Sequence, residues 1–342
     1  MKKALQLSKL ALLASLFCLN ACNNDLVLVE GYKEIPIVYG FLTLADTATY
    51  IRVEKAYADP KRSATEVAQI PDSLYYSDVM VTLVRVRNNE RFALKKVDGN
   101  TEGYPRNGGT FAKSPNYLYK IKTSTLAMKA DEDWRVEIAR VADSKILAKA
   151  TTRVIGDYSV FTPSVTPALF LTYDNTFTVG VETAEASAKI YAINIVFNYD
   201  ETDPTKPNST VSKSVKWQFS SSSARTGSPA GGFDQQYFRR ASKDFFEFLG
   251  TAILETAGLT RKFTSLDVEV TAGGQELIDY VTVGIANLGI TGSQTIPTYT
   301  NITDGLGIFT SRSKTVKKGL PLNDQTLEVL KSGDLTKKLN FR

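Results

Sequence analysis

The sequence predicts a mainly β protein: an N-terminal immunoglobulin-like antiparallel β-sandwich, then a β-rich second domain carrying one amphipathic helix. Three observations predict it. Runs of strand length, such as Val79 to Arg87, alternate side chains between two faces and are rich in Val, Ile, Tyr and Phe. Asn, Asp, Gly and Pro interrupt these runs at short intervals. The clearest helical spacing of apolar residues is confined to one stretch, near 235–256.

In order, Ile35 to Leu42 and Thr49 to Tyr57 read as strands joined by a turn at Ala45-Asp46-Thr47. Asp59 to Asp72, with Pro60 and Pro71, reads as a long loop. Val79 to Arg87 and Arg91 to Val97 form a hairpin across Asn88-Asn89. Asp98 to Pro115 is rich in Gly, Asn and Pro and reads as loop. Tyr117 to Thr123, Trp134 to Val141 and Lys145 to Val154 complete the set, the last two joined at Asp143-Ser144. About seven or eight strands in roughly 120 residues is the density of a sandwich, placed at 26–157. Residues 158–167, with Pro163 and Pro167, read as a linker.

In the second domain, 168–342, Ala168 to Tyr173, Thr176 to Glu182, Ala188 to Tyr199 and Val211 to Ser220 read as strands. Asp200 to Ser209 is a loop, and Ser220 to Gly232 is a Ser/Gly/Ala-rich segment suited to contact a partner. The helix follows, with Phe238, Ala241, Phe245, Leu249 and Ala252 on one stripe, Asp234 as its cap and Gly258 past its end. That stripe is expected to pack on the sheet. Phe263 to Thr271 and Tyr280 to Ala286 read as strands, with a helical turn at Gln275 to Asp279.

The first residues carry an address. Lys2, Lys3 and Lys9 precede an apolar run from Leu10 to Leu19, and the run ends in Leu19-Asn20-Ala21-Cys22. This is a secretory signal over 1–21, shorter than the roughly 20 apolar residues of a transmembrane span. A plain signal would leave Cys22 free; the cysteine directly after Ala21 instead resembles a bacterial lipobox, which implies acylation of Cys22. Residues 22–34 then serve as anchor, tether and start of the first strand.

Composition excludes much chemistry. The chain has no histidine, and of its two cysteines Cys18 leaves with the signal. An intramolecular disulfide, structural zinc, Ser-His-Asp and Cys-His catalysis are therefore excluded. No cofactor is expected. Carboxylate-based glycan hydrolysis is the enzyme that stays open. Calcium has no D-x-D-x-D-G loop to point to it. The formal charge is +5, and the signal contributes three lysines without an acid, leaving the mature chain near +2. That balance argues against nucleic acid. The densest basic stretch, Arg312 to Lys318, reads as a solvated loop or strand face rather than a binding patch.

Near the C-terminus, Asn301-Ile302-Thr303-Asp304-Gly305-Leu306-Gly307-Ile308-Phe309 resembles the closing N-I-x-x-G-L-G-x-F signature of a Bacteroidota lipoprotein family known as domain of unknown function four-two-four-nine. Val27-Leu28-Val29-Glu30-Gly31 fits its opening strand, and the order of parts is similar. The aromatics usual before the signature are reduced here to Tyr280 and Tyr299. The resemblance implies an outer-membrane lipoprotein, often encoded beside TonB-dependent receptors, with no enzyme activity and no catalytic residues. Within the motif, Gly305 and Gly307 are expected to serve a tight backbone before a strand at Ile308-Phe309-Thr310 rather than to hold phosphate. Asp46-Thr47-Ala48 and Asp72-Ser73-Leu74 resemble the sites where Bacteroidota attach O-glycans to exported proteins, which would use Thr47 and Ser73.

Two non-enzymatic functions fit. One is a binding or accessory module beside an outer-membrane β-barrel receptor, taking a glycan or peptide. The other is an envelope-assembly protein with a protein partner and no small ligand. Tyr75, Tyr76, Tyr104 and Tyr117 could serve sugar or peptide binding, but strand-end core packing is the favoured reading. A cleft with exposed aromatics would favour capture; a broad apolar patch would favour a protein partner.

Overall fold

The computed structural model describes residues 35–56, 62–183, 187–206, 209–224, 234–286 and 298–342. The signal, Cys22 and Val27 to Gly31 lie outside the described residues, as does most of Ser220 to Gly232.

The chain is mainly β. β1 (Ile35–Leu42) and β2 (Ala48–Ala56) form an antiparallel hairpin. Alternation gives them two faces: Val38, Leu42, Ile51 and Val53 are buried inward, while Ile37, Tyr39 and Arg52 point outward. The expected loop at 59–72 contains two short helices, α1 (Ala64–Ala68) and α2 (Pro71–Leu74). Ser63 caps α1 and Glu66 returns the bond to the Ser63 amide, a reciprocal pair that sets the start of the helix.

β3 (Val79–Arg85) and β4 (Glu90–Ala93) form the expected hairpin. The run at Arg91 to Val97 is not one strand. It changes sheets at buried Leu94, so that β4 stays with β3 while β5 (Lys95–Asp98) pairs with β6 (Tyr117–Lys122). A single turn, α3 (Thr123–Leu126), leads to β7 (Asp133–Arg140) and β8 (Ile146–Arg153). The sheet β4-β3-β7-β8 covers the inner face of β1, β2 and β6. Trp134, Leu83, Val136 and Ile138 from one sheet meet Val38, Ile51 and Val53 from the other. Each such buried side chain stabilises by about 1.5–3 kcal/mol. This is the expected sandwich.

The second half corrects the sequence in several places. Residues 158–162, expected as linker, are strand β9 (Tyr158–Thr162), with Tyr158 and Val160 in the core. Ala168 to Tyr173 forms only a bridge, Leu169 to Leu322, because Pro163 and Pro167 hold its approach irregular. β10 (Thr176–Thr183), β11 (Ile190–Thr202) and β12 (Val211–Ala224) follow in the expected order, but Asp200 to Thr202, expected as loop, extends β11, and Ser221 to Ala224, expected in the Ser/Gly/Ala-rich segment, extends β12. The helix near 235–256 is in fact strand β13 (Asp234–Ala241) followed by α4 (Ser242–Ala252). Phe238 reaches the core from the strand and Phe245 and Leu249 from the helix, so one apolar spacing straddles two elements. The Ser242 amide that opens α4 donates to Asn175 O, so Asp234 is not its cap. After β14 (Thr260–Gly273), Tyr280 to Ala286 is not a strand but the end of α5 (Gln275–Ala286).

The last long strand, β15 (Leu306–Leu320), joins the two halves. Leu306 to Ser311 runs parallel to β1, and Arg312 to Leu320 runs antiparallel to β14. One eight-stranded sheet, β12-β11-β14-β15-β1-β2-β6-β5, thus spans both units. The sheet β13-β10-β9 and α4 close a second core around Phe177, Tyr191, Phe197, Trp217 and Phe245. A final helix, α6 (Asp324–Ser332), is capped by Asn323, whose Oδ1 accepts from Thr326 N at 2.9 Å.

Candidate functional site

Two clefts lie on the outward face of β1, and a third adjoins the second at Lys55. The first, about 310 Å³, lies among Tyr39, Leu306 and Gly307 on the sheet and Tyr280, Val283 and Tyr299 on α5 and its return. The second, about 640 Å³, lies on the same face between Ile37, Tyr39, Arg52 and Glu54 below and Leu74, Arg106 and Phe111 above. Tyr39 belongs to both. The third, about 840 Å³, shares Lys55 with the second and adds Tyr75, Tyr76, Lys96 and Tyr117.

Strand alternation explains this layout. Tyr39, Arg52 and Glu54 occupy successive outward positions on neighbouring strands, with Tyr39 opposite Arg52. Tyr39 is 40% exposed in the middle of a strand, where a ring without cover loses the benefit of burial. Leu306, Tyr280 and Phe111 are exposed around it at 39%, 43% and 44%.

Electrostatics set the second cleft apart. Glu54 Oε1 accepts from Arg52 Nη1 at 3.0 Å and also from Arg106 Nη2. One carboxylate therefore serves two guanidiniums. Arg106 Nη1 is buried with no hydrogen-bond partner among the described residues, which costs about 1–3 kcal/mol if left so. The Arg106 guanidinium also lies over the Phe111 ring at 5.2 Å. In the third cleft Lys96 Nζ sits 4.1 Å from the Tyr117 ring centre and donates to Tyr76 O at 3.1 Å. Burial holds Lys96 below its ordinary value. Burial, then the nearby Tyr280 and Glu54, pushes Tyr39 up. Tyr299 is pushed up to about 12 by burial, then by Asp279 and Glu276.

The four tyrosines singled out in the sequence divide. Tyr75 and Tyr76 are buried, Tyr75 in a small cluster with Leu74 and Ala112, so packing is their role. Tyr117 edges both that cluster and the third cleft. Tyr104 is exposed and leans on Tyr50, with ring centres 4.8 Å apart. Tyr39, which dominates the groove, was missed because it reads as one more strand aromatic; the signal was its outward register beside Arg52.

The closing motif borders the first cleft and is built as a backbone device. Asn301 Nδ2 donates to Phe309 O at 2.7 Å, and Phe309 N donates to Asn301 Oδ1 at 3.0 Å. Gly307 has φ +103°, and a Cβ there would lie 2.1 Å from Val38 O. Gly305 needs no positive φ; the left-handed residue is Asp304, at φ 59°, while a Cβ on Gly305 would press Pro36 O at 2.7 Å. Ile308 and Phe309 are core residues, but Leu306 is exposed.

Other expected features are structural. Along the basic stretch, Lys314 pairs with Glu269, Arg312 approaches Asp46, and Lys317 Nζ donates to Val160 O at 2.8 Å. Arg261 is buried, binds Glu201 Oε2 through Nε at 3.0 Å, and donates to Leu339 O and Leu254 O. Thr47 is exposed in the β1–β2 turn, whereas Ser73 is half-buried within α2. Among the described residues no group of three acidic, Cys or His side chains could hold a metal ion, and no helix is long and apolar enough to cross a membrane.

No family model matches the chain, and a search of curated proteins finds no relative. Among solved structures, the chicken CNTN1 FN1–FN3 domains align at 9% identity and TM-score 0.26, over 70% of this chain and 58% of that one. The chicken interferon gamma receptor alpha chain aligns at 6% and 0.18, over 71% and 90%. CBD12 from CALX1.2 aligns at 10% and 0.19, over 81% and 98%. This chain thus spans little more than half of the CNTN1 fragment. With TM-scores this low, no argument rests on these likenesses.

Proposed function

We propose that the protein is a lipid-anchored binding module of the outer membrane, holding its ligand in the groove along β1 and working beside a TonB-dependent receptor. The observation that carries the reading is Tyr39: an exposed ring at mid-strand, shared by two clefts and ringed by further exposed aromatics. A concave, aromatic-lined surface with a few fixed polar groups is how small-ligand sites are built. The lipobox resemblance at Cys22 and the closing motif support the compartment and the receptor association.

The enzyme reading gains no support from the groove. Its second cleft presents a single carboxylate, Glu54, already bound to two guanidiniums, where a glycosidase needs a facing pair.

Purification of tagged wild type and Tyr39→Ala protein from mildly solubilised outer membranes tests both halves. Both proteins should bring down a β-barrel receptor, and only the wild type should carry glycan or peptide into the eluate. Wild type without a barrel, or equal ligand on both proteins, would overturn the reading.

A further inference from the structure

We propose that the occupant of the groove is an anionic saccharide, bound through its carboxylate or sulfate groups by Arg106 and Arg52 and through its ring face by Tyr39 and Phe111. The inference rests on the reading of the groove as a ligand site and adds the chemistry of the ligand.

Charge is the first argument. Arg52, Lys55 and Arg106 line the second cleft against Glu54 alone, and Lys96 joins Lys55 in the third cleft against Asp72. Four cations thus face two acids. Lys55 and Lys96 are not paired with a carboxylate among the described residues; Lys55 rests 5.9 Å from the Tyr76 ring centre and Lys96 on Tyr117. The buried, unpartnered Nη1 of Arg106 adds a donor where an anion would satisfy it. A guanidinium suits this task because its planar fork can hold both oxygens of a carboxylate or sulfate.

Surface shape is the second argument. Tyr39 and Phe111, 40% and 44% exposed, offer aromatic surface to the apolar side of a pyranose. An extended peptide would gain most by adding a strand to a free edge. Here β1 is paired on one side with β2 and on the other with β15, so the groove floor presents side chains and no open edge. A saccharide needs only what is present.

Titration calorimetry on the full mature chain carrying Cys22→Ser tests the proposal. The probes are a galacturonate hexamer for carboxylate, a carrageenan hexasaccharide for sulfate, a neutral galactan hexasaccharide and a hexaglutamate peptide. At least one acidic saccharide should bind at least about tenfold tighter than the neutral one, with Arg106→Gln costing at least about tenfold. Binding should weaken as salt rises from ~0.05 to ~0.5 M. If Arg106→Gln melts early, Arg52→Gln, at the more accessible of the two guanidiniums, should show the same direction. Equal affinity for neutral and acidic saccharides, with both lost in Tyr39→Ala, would overturn the anionic preference and leave the groove reading standing. Tighter binding of hexaglutamate than of either saccharide would overturn the saccharide. Binding of neither acidic saccharide would overturn the proposal, while the ligand content of Tyr39→Ala eluates decides the groove separately.

Discussion

The carboxamide of Asn301 closes on both backbone groups of Phe309, donating to its carbonyl at 2.7 Å and accepting from its amide at 3.0 Å. One side chain thereby stands in for a neighbouring strand at the point where β15 enters the sheet. It fixes Phe309 over Gly40 of β1 and, through β15, the junction of the two units. Asn301→Ala should remove both bonds and leave a buried backbone pair unsatisfied, at about 2–3 kcal/mol. Asn301→Asp keeps the acceptor but sets a charged oxygen against Phe309 O where the donor stood, and should cost at least as much as Asn301→Ala. Urea midpoints of the three proteins check the order.

Gly307 is the second device of the junction. Ala there must adopt φ +103° and place its Cβ 2.1 Å from Val38 O, so strain and clash add. Gly307→Ala should cost about 3 kcal/mol or more. Gly258→Ala, at φ +81° in open space, should cost only about 1 kcal/mol. Equal midpoints for the two variants would remove the close approach to Val38 from the account.

The acid limb of stability should come from paired carboxylates. Burial pushes Glu201 up, but the hydrogen bonds and charges of Lys213 and Arg261 outweigh it and hold the carboxyl below its ordinary 4.5. Glu137 is lowered in the same manner by Arg91 and Arg135 against its burial. Because the folded value is the lower one, the unfolded chain binds more protons as pH falls through 4.5. The stabilisation is whole above 4.5 and is lost below it. With no histidine, urea midpoints should be level from about pH 6 to 8 and should drop below about pH 4.5. Glu201→Gln should flatten that drop.

The sandwich was legible because its strands carry one buried and one solvated face, as at Ile51, Val53 and Arg52, and this alternation is local. The shared sheet was not legible. Pairing of Leu306 to Ser311 with β1 joins residues about as far apart as the chain allows, and nothing within β15 states which partner it takes. The merged reading of β13 and α4 failed because Phe238, Ala241 and Phe245 satisfy helical spacing by coincidence across a boundary. The cap of α1 was present as Ser63-Ala64-Thr65-Glu66 and was obscured by its polar setting and flanking prolines. The groove was legible only in parts: its aromatics are visible as residue types, but Phe111 and Arg106 reach it from a loop whose path tertiary contacts decide.

The proposed anchoring rests on Cys22. Cys22→Ser should leave an uncleaved precursor or release the protein from membranes, since stable attachment needs acyl chains at that residue. Fractionation followed by mass measurement of the N-terminal peptide checks it; normal processing and membrane retention of the variant would remove the lipobox from the account.

The proposed seat of the ligand is the outward face of β1 at Tyr39. Its most direct measurement is photo-cross-linking in intact cells, with a benzophenone side chain replacing Tyr39 and, as a control, replacing Val211, which is 54% exposed on the distant strand β12. The expected result is a mass-shifted adduct from position 39 and none from 211. No adduct at 39, or equal adducts at both positions, would contradict the claim.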